Sequence, residues 1–394
     1  MSEPARKKKN PSMTIPDWTL LPGELLHVIS TKLHNCFDVL HARSVCTSWR
    51  SSFPFPEHRL TRPTHSLPSF AEFPYESDDF CTLEKVPIFL FRAKTRPILP
   101  SLYFIGGVIK DEQNSSQTQS CSLKVKVHER VLDVANILDF QIFPLGHHYR
   151  VIGFDPREPT SAYRGVAVIP GKGDDDYLLL LNYTKLLYIF RSAEMKWIGI
   201  EEFSDDTFYE VVAFRGMFYA SFVTAGVFVL DPYLMEVTPL MPSPPLQHAI
   251  NINNLVKCGD DDDELFLVEK FYPFPDPTII DFGLFNCRVS RLDEKAGKWV
   301  AVSDLGGRVL FIGHFGNVCC LGKELPDGCG LSGNSIVYTS ERGRVTFAYK
   351  YTRGEGDGLG IWRLSREFRV SILSTSPVVA LRVERPPVTP TLAT

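Results

Sequence analysis

Hydrophobic residues follow two different periods along this chain of 394 residues. Near the N-terminus, Leu25, Ile29 and Leu33 recur every four residues, and Leu26 widens the same apolar stripe, as in an amphipathic helix. From about residue 85 to 375 the pattern changes to short β-like runs with Gly, Asp, Asn and Pro between them. The pattern therefore predicts a mainly β protein with a small all-α module at its N-terminal end.

Two helices are predicted within residues 17–52. Pro22 suits the first turn of the first helix, because an N–H at that position would have no partner within the helix. A break at residues 34–36 separates the helices, and Asp38 favours the start of the second one. In the second helix we expect one side to be formed by Ala42, Val45, Cys46 and Trp49.

The β region contains a weak internal repeat. Residues 187–197 and 287–299 each contain a strand, a charged turn and a Lys-Trp pair that opens the next strand. Further strands with a Gly-containing turn follow each copy. A repeating unit of about four strands is typical of a propeller blade, so we predict a propeller-like domain. A β-sandwich or an irregular barrel is also compatible with the pattern.

These patterns divide the chain into five segments. The polar, basic N-terminal residues predict a disordered tail, and the Pro-rich stretch after the helices predicts a linker. The predicted boundaries are 1–16 for the basic tail, 17–52 for the helical module, 53–84 for the linker, 85–376 for the propeller-like domain and 377–394 for a second disordered tail.

Composition and charge exclude several classes of partner. Hydrophobic residues make up 44% of the chain, charged residues make up 22%, and the net charge is −4. These values are those of an ordinary globular protein and give no overall attraction to nucleic acid or to a membrane, so neither is an expected partner. The local basic run Arg6, Lys7, Lys8 and Lys9 is either a nuclear import signal or a polar tail. We expect the protein in the nucleus, the cytoplasm or both.

Residues with catalytic or metal-binding chemistry are sparse. The nine cysteines are scattered, with no C-x-x-C pair, which predicts reduced and mostly buried thiols. Acidic runs at 174–176 and 260–264 lack the spacing of an EF-hand loop. Adjacent histidines at 147 and 148 would point to opposite faces of a strand. We therefore expect no cofactor, no metal and no catalytic residue.

The most specific pattern lies at residues 20–50. The blocks Leu21-Pro22-Gly23-Glu24-Leu25-Leu26 and Val45-Cys46-Thr47-Ser48-Trp49-Arg50, with Ile29 and Leu33 between them, resemble the F-box. Ser30 departs from that family, which often has an apolar residue there. The resemblance implies that the segment binds a Skp-type adaptor and, through it, cullin and RING subunits.

The same resemblance assigns residues to adaptor contact or to the F-box core, without separating the two roles. These residues are Leu20, Pro22, Leu25, Leu26, Ile29, Leu33, Val45, Cys46 and Trp49. Apolar residues at this density in so short a segment cannot all bury themselves without a partner.

A second resemblance lies near the C-terminus. The block Asp304-Leu305-Gly306, followed by Arg308, and the block Gly333-Asn334 resemble plant F-box proteins that carry a kelch-like β domain. This chain departs from that family in having Trp362-Arg363 where an acidic pair is usual. The Gly and Asn residues are interpreted as turn positions with positive φ, not as ligand contacts.

Together, the two resemblances imply a non-catalytic subunit of an SCF-type cullin-RING E3 ubiquitin ligase. Such a subunit binds a Skp-type adaptor through the F-box and a protein substrate through the β domain, for ubiquitination and proteasomal degradation. Two alternatives remain open at this point. One is a lectin or enzyme with a propeller fold, and the other is an F-box scaffold that does not lead to degradation.

Overall fold

A computed structural model gives the fold, and it divides the chain into two units, residues 1–60 and 61–394, which are described separately. The ranges that the structure describes are 17–33, 36–53, 65–68, 81–93, 102–108, 125–127, 130–132, 140–152, 163–173, 176–183, 186–200, 208–222, 226–240, 250–259, 264–272, 286–313, 316–327, 329, 331–339, 346–351, 367–372 and 381–384.

The N-terminal unit has three α-helices where the sequence predicts two. They are α1 (Gly23–Lys32), α2 (Cys36–Arg43) and α3 (Thr47–Ser52), and a 3-10 turn at Trp18–Leu20 precedes them. The predicted second helix is broken because the N–H groups of Ser44 and Val45 donate to carbonyls three residues back, at 3.0 and 3.1 Å, which tightens and ends α2. Cys46 has extended backbone, so Val45 and Cys46 lie in a connection and do not share a helical side with Trp49.

A small apolar core holds the three helices together. Leu26, Val39, Ala42 and Phe53 are buried in it, and partly buried side chains pack against them: Leu21, Ile29, Leu33 and Trp49. The rings of Trp49 and Phe53 stack with their centroids 5.3 Å apart. The Arg43 guanidinium crosses from α2 and donates to the carbonyl of Arg50 at 2.8 Å and to that of Phe53. The module therefore has its own hydrophobic core.

The second unit is built from strands. In chain order they are β1 (His65–Leu67), β2 (Cys81–Ala93), β3 (Leu102–Val108), β4 (Val125–Val127), β5 (Arg130–Leu132), β6 (Phe140–Ile152), β7 (Tyr163–Pro170), β8 (Tyr177–Tyr183), β9 (Leu186–Arg191), β10 (Lys196–Ile200), β11 (Phe208–Phe214), β12 (Met217–Phe222), β13 (Val227–Leu230), β14 (Val237–Pro239), β15 (Ile250–Cys258), β16 (Glu264–Tyr272), β17 (Asn286–Asp293), β18 (Lys298–Ala301), β19 (Arg308–Gly313), β20 (Gly316–Leu321), β21 (Ser335–Thr339), β22 (Thr346–Lys350), β23 (Glu367–Ile372) and β24 (Leu381–Glu384).

These strands form a five-bladed propeller, which confirms the predicted fold class. Blades two, three and four are the sheets β7–β10, β11–β14 and β15–β18, and blade five has the order β20-β19-β21-β22. Blade one has the order β6-β2-β3-β23-β24, with β1 paired to the start of β2. The innermost strands β6, β7, β11, β15 and β20 contact one another in turn and close the ring.

Blade one joins the two ends of the propeller. Strand β23 pairs in parallel with β3, which lies more than two hundred residues earlier in the chain, so the C-terminal strands complete the N-terminal blade. The strands extend past both predicted limits of 85–376. The predicted linker, residues 53–84, contains β1 and the start of β2, and its buried Leu67 packs into the core around Tyr177. The predicted C-terminal tail, residues 377–394, contains β24, whose backbone pairs with β23.

The two Lys-Trp repeats mark equivalent positions in the propeller. Lys196 begins β10 and Lys298 begins β18, which are the outermost strands of blades two and four. Blade three lies between them and has no such pair in its outermost strand, β14. The indole N–H of Trp197 donates to the carbonyl of Pro68 at 2.9 Å and fixes the segment after β1. The sequence repeat therefore corresponds to the outermost strands of blades two and four, which are not neighbours in the propeller.

The resemblance blocks near the C-terminus lock to each other. The Asn334 side-chain oxygen accepts from the N–H groups of Leu305 and Gly307, at 3.2 and 3.0 Å, and its amide donates to Asp304. Asn334, like Gly306 and Gly307, has a positive φ. A Cβ on Gly333 would stand 2.7 Å from the Gly307 backbone, so only glycine allows this approach. The interpretation as turn positions with positive φ is therefore confirmed for Gly306 and Asn334. Gly333 has no positive φ, and a glycine is needed there because of the close approach to Gly307.

The cysteines differ from the expectation in one respect. Cys258 and Cys319 are joined in a disulfide, whereas the sequence predicts reduced thiols. The prediction was wrong for this pair because the two residues are 61 positions apart and only the packing of blade four against blade five brings them together. Among the other cysteines whose placement is described, Cys46, Cys287, Cys320 and Cys329 are not in a disulfide. Among the described helices, none has the length and apolarity needed to cross a bilayer.

Candidate protein-interaction site

The N-terminal module exposes several large hydrophobic side chains. Leu20 is 78% exposed and Trp18 57%, and about half of each of the other three side chains faces solvent. We call these five residues the exposed apolar set: Trp18, Leu20, Leu25, Val28 and Val45. Scattered single apolar residues are normal at a protein surface, but five large ones within 28 positions indicate a surface that binds another protein.

Helix geometry explains why α1 both buries and exposes apolar residues. Successive residues turn by about 100°, so Leu26, Ile29 and Leu33 share the inner side of the helix and pack on the module core. Leu25 and Val28 are three residues apart and project together from the flank of that stripe. The apolar surface of α1 is therefore wider than its own core requires.

Hydrogen bonds fix the turn that carries Trp18 and Leu20. One Asp17 carboxylate oxygen accepts from the Thr19 N–H at 3.0 Å and from its hydroxyl at 2.6 Å. The hydroxyl hydrogen bond is the main cause that lowers the pKa of Asp17, so the carboxylate stays charged and keeps the turn formed. The indole N–H of Trp49 donates to the Trp18 carbonyl at 2.9 Å and ties the turn to α3.

The nine residues that the F-box resemblance assigns divide between core and surface. Leu26 is buried, and Ile29, Leu33 and Trp49 pack against the core. Leu20, Leu25 and Val45 belong to the exposed apolar set, Pro22 is also exposed, and Cys46 is partly exposed. The basic run at residues 6–9 lies outside the described residues.

Sequence reasoning missed several residues of the module. Trp18 and Val28 are exposed, and Phe37, Val39 and Phe53 are buried. Two of them carried a usable signal, because Val28 follows Leu25 by three positions and Phe53 follows Trp49 by four. Trp18 carried none, since its position depends on the hydrogen bond from Trp49.

The inner ring of the propeller contains an ionisable group in an unusual setting. One Glu210 oxygen, on β11, accepts from the Leu255 N–H on β15 at 2.7 Å and from the Asn254 amide at 3.5 Å. The other accepts from the Asn317 amide on β20, which also donates to the Leu255 carbonyl at 3.1 Å. Burial raises the pKa of Glu210 to about 7, although these hydrogen bonds and the Lys270 charge act in the opposite direction.

This arrangement satisfies the backbone at an unpaired strand edge. The innermost strand of a blade has one edge with no ladder partner, and side chains from the blades on both sides serve the Leu255 N–H and C=O. Buried Lys270 lies with its ammonium 3.8 Å from the centre of the Tyr338 ring. Within the described residues, no group of three or more His, Cys, Asp or Glu side chains is placed to hold a metal ion.

Blade three presents a second exposed apolar spot at the β13–β14 turn. Tyr233 and Leu234 are 70% and 66% exposed. The Asp231 carboxylate accepts from both of their N–H groups, at 2.8 and 3.0 Å, and the Arg191 guanidinium of blade two donates to the Pro232 carbonyl at 3.0 Å. The turn is therefore held rigid while its tip faces solvent.

Known proteins are similar to this chain over residues of both units. The family model described as the KIB1-4 beta-propeller matches residues 55–362. An F-box/kelch-repeat protein of Arabidopsis thaliana is 52% identical over 380 residues, covering 94% of this chain and 97% of the relative. A second one from the same plant is 46% identical over 397 residues, covering 96% and 99%.

A more distant relative is similar over most of its length. The Arabidopsis protein named F-box protein SKIP23 is 27% identical over 362 residues, covering 82% of this chain and 86% of the relative. The family model covers well over half of the chain, and the first two relatives cover nearly all of it. The chain therefore belongs to the plant F-box proteins with a KIB1-4 beta-propeller domain.

Proposed function

We propose that this protein is the substrate-recognition subunit of an SCF-type cullin-RING E3 ubiquitin ligase. The F-box module binds a Skp-type adaptor, which connects it to cullin and RING subunits, and the propeller binds a protein substrate. The observation that carries the proposal is the exposed apolar set beside an already complete module core. The F-box names of its relatives support it.

The energetics favour an adaptor over self-packing as the cover for this set. The module core is filled by Leu26, Val39, Ala42 and Phe53, so the exposed side chains are not needed to stabilise the helices. Burying apolar surface against a partner contributes about 25 cal/mol of favourable free energy per Å² removed from water. Truncating a central side chain of such an interface typically weakens the binding free energy by about 2 kcal/mol or more.

The chain itself performs no bond chemistry in this proposal. It holds a substrate near the ubiquitin-charged enzyme, and this proximity raises the effective concentration of the target lysine. The substrate is then ubiquitinated and degraded by the proteasome. The rigid, exposed Tyr233-Leu234 turn supports a protein as the ligand of the propeller. We place the protein in the nucleus, the cytoplasm or both.

The first prediction concerns the exposed apolar set. The double substitution Leu25→Asp with Val45→Asp places two charges where apolar contact with the adaptor is needed, without entering the module core. We expect adaptor affinity to fall by about 30-fold or more, which corresponds to about 2 kcal/mol. The measurement is binding of the purified full chain to a Skp-type adaptor by calorimetry, with circular dichroism to verify folding.

The matched control is His27→Asp with Ser48→Asp. His27 lies in α1, near Leu25, and Ser48 lies in α3, near Val45, and both are exposed. The control therefore adds two carboxylates without removing apolar surface. It should bind the adaptor like the wild type. Unchanged binding by the Leu25/Val45 variant would rule out the proposed interface. If the adaptor binds but bound partners do not accumulate on proteasome inhibition, the degradation part of the proposal is wrong.

A further inference from the structure

Two inner strands of the propeller carry a pair of cysteines that meet between blades. Cys258 is the last residue of β15 in blade four, and Cys319 lies on β20 in blade five. Their Cα atoms are 5.2 Å apart, a separation typical of disulfides, and their sulfur atoms are bonded. The pair lies in the apolar cluster between the two blades, with Val256, Leu310 and Ile312.

The remaining described thiols of this unit are poor competitors. Burial is the main cause that raises the pKa of Cys287 to about 12, and the same holds for Cys320. It also raises the pKa of Cys329. A thiol must lose its proton to attack a disulfide, so these three react slowly, and burial limits Cys258 in the same way, whereas Cys319 is partly exposed and can attack first. Cys320 follows Cys319 directly, and adjacent residues on a strand point to opposite faces, so Cys320 faces away from Cys258.

We propose that Cys258 and Cys319 form a reversible redox clasp between blades four and five. The oxidant is a small disulfide of the glutathione class. One protein thiolate attacks it, releasing one glutathione thiol and forming a mixed disulfide. The second protein thiolate then attacks the bound sulfur and releases the second glutathione. The protein loses two electrons and two protons in total, and glutathione disulfide is reduced to two thiols. Reduced glutathione reverses both steps.

The clasp joins two strands that belong to different sheets. Strands β15 and β20 contact each other in the inner ring, but each has its hydrogen-bonded ladder within its own blade. The bond spans 61 residues of chain, so closing it restricts the unfolded chain considerably. Oxidation therefore stabilises the ring at the junction of blades four and five, and reduction loosens that junction while the apolar packing remains.

The test uses the full-length chain in two glutathione buffers, one oxidised and one reduced. After alkylation of free thiols and digestion, we expect a cross-linked peptide containing Cys258 and Cys319 in the oxidised buffer and alkylated peptides in the reduced one. The melting temperature should be about 5 °C or more higher in the oxidised buffer. Cys258→Ala and Cys319→Ser should each abolish that difference.

The control variants are Cys287→Ala and Cys320→Ser, which should keep the difference in melting temperature. Alkylation of both Cys258 and Cys319 in the oxidised buffer, or equal melting temperatures of the wild type in both buffers, would overturn the proposal. Because both readouts exist for the wild type alone, a variant that does not fold leaves the test intact. Adaptor binding is not a readout here, so this proposal and the proposed function stand or fall separately.

Discussion

Glu210 illustrates how one side chain can link three blades. Its carboxyl group accepts from Leu255 and Asn254 of blade four and from Asn317 of blade five, while its own strand belongs to blade three. These donors favour the ionised form, but removal from water favours the neutral form and dominates, so the pKa rises to about 7. The group therefore changes charge near neutral pH inside the ring.

A pH-dependent stability follows from this pKa. Glu210 has a higher pKa in the folded chain than its ordinary value of 4.5, so the folded state binds the proton more tightly. The resulting stabilisation is fully present below pH 4.5 and is lost as the pH rises through about 7. Glu210→Gln should remove about 2 kcal/mol of the change in unfolding free energy between pH 5.5 and pH 8.

The measurement is urea unfolding of wild type and variant at both pH values. Glu236→Gln, which changes an exposed glutamate on the same blade, is the matched control and should follow the wild type. An unchanged pH dependence in the Glu210 variant would show that this carboxyl group does not titrate as described. The other charged group that acts on Glu210 is Lys270, and it is present in both variants.

At the scale of elements, turn chemistry explains most of the local structure. The β13–β14 connection turns because Asp231 accepts from two backbone N–H groups and Met235 adopts a positive φ. The α2–α3 connection forms because two carbonyls of the last α2 turn accept from residues three positions later. Both turns depend on residues close in sequence. The α2–α3 connection was nevertheless not predicted, because the apolar spacing of a helix continues across it.

The β13–β14 turn provides a prediction at this scale. Asp231→Ala removes the acceptor for the Tyr233 and Leu234 N–H groups and should lower the unfolding free energy by about 1 kcal/mol. Asp231→Asn keeps a side-chain oxygen and should recover most of that loss. Chemical denaturation of the three proteins side by side measures both effects. Equal stability of the Ala and Asn variants would contradict the assigned role of the side-chain oxygen.

At the scale of the whole propeller unit, blade one depends on strands that are far apart in the chain. Strand β3 has β2 on one side and β23 on the other, and β24 covers β23. Without the two C-terminal strands, β3 would present an unpaired edge, which destabilises the blade and invites association with other chains. The stability of blade one is therefore expected to depend on this long-range pairing.

Truncation tests the role of the two C-terminal strands in blade one. A chain ending after residue 366 lacks β23 and β24, and we expect a lower melting temperature and a larger aggregated fraction by size-exclusion chromatography. A chain ending after residue 385 keeps both strands and should behave like the full-length protein. A truncated protein that remains monomeric and equally stable would show that blade one does not need its last two strands.

The sequence by itself determined the features that depend on near neighbours. Helical spacing located the N-terminal module, runs of strand formers located many of the strands, and the Lys-Trp repeat marked the outermost strands of two blades. It also gave the turn roles of Gly306 and Asn334, since positive φ is a property of single residues.

Only the tertiary structure decided the number of blades, the pairing of β3 with β23, the Cys258–Cys319 bond and the pKa of Glu210. It also decided which side of the apolar stripe in α1 faces the core and which faces solvent. The physical reason is the same in each case. Local periodicity shows that a side chain or strand edge needs a partner, whereas the partner's identity depends on segments far away in the sequence.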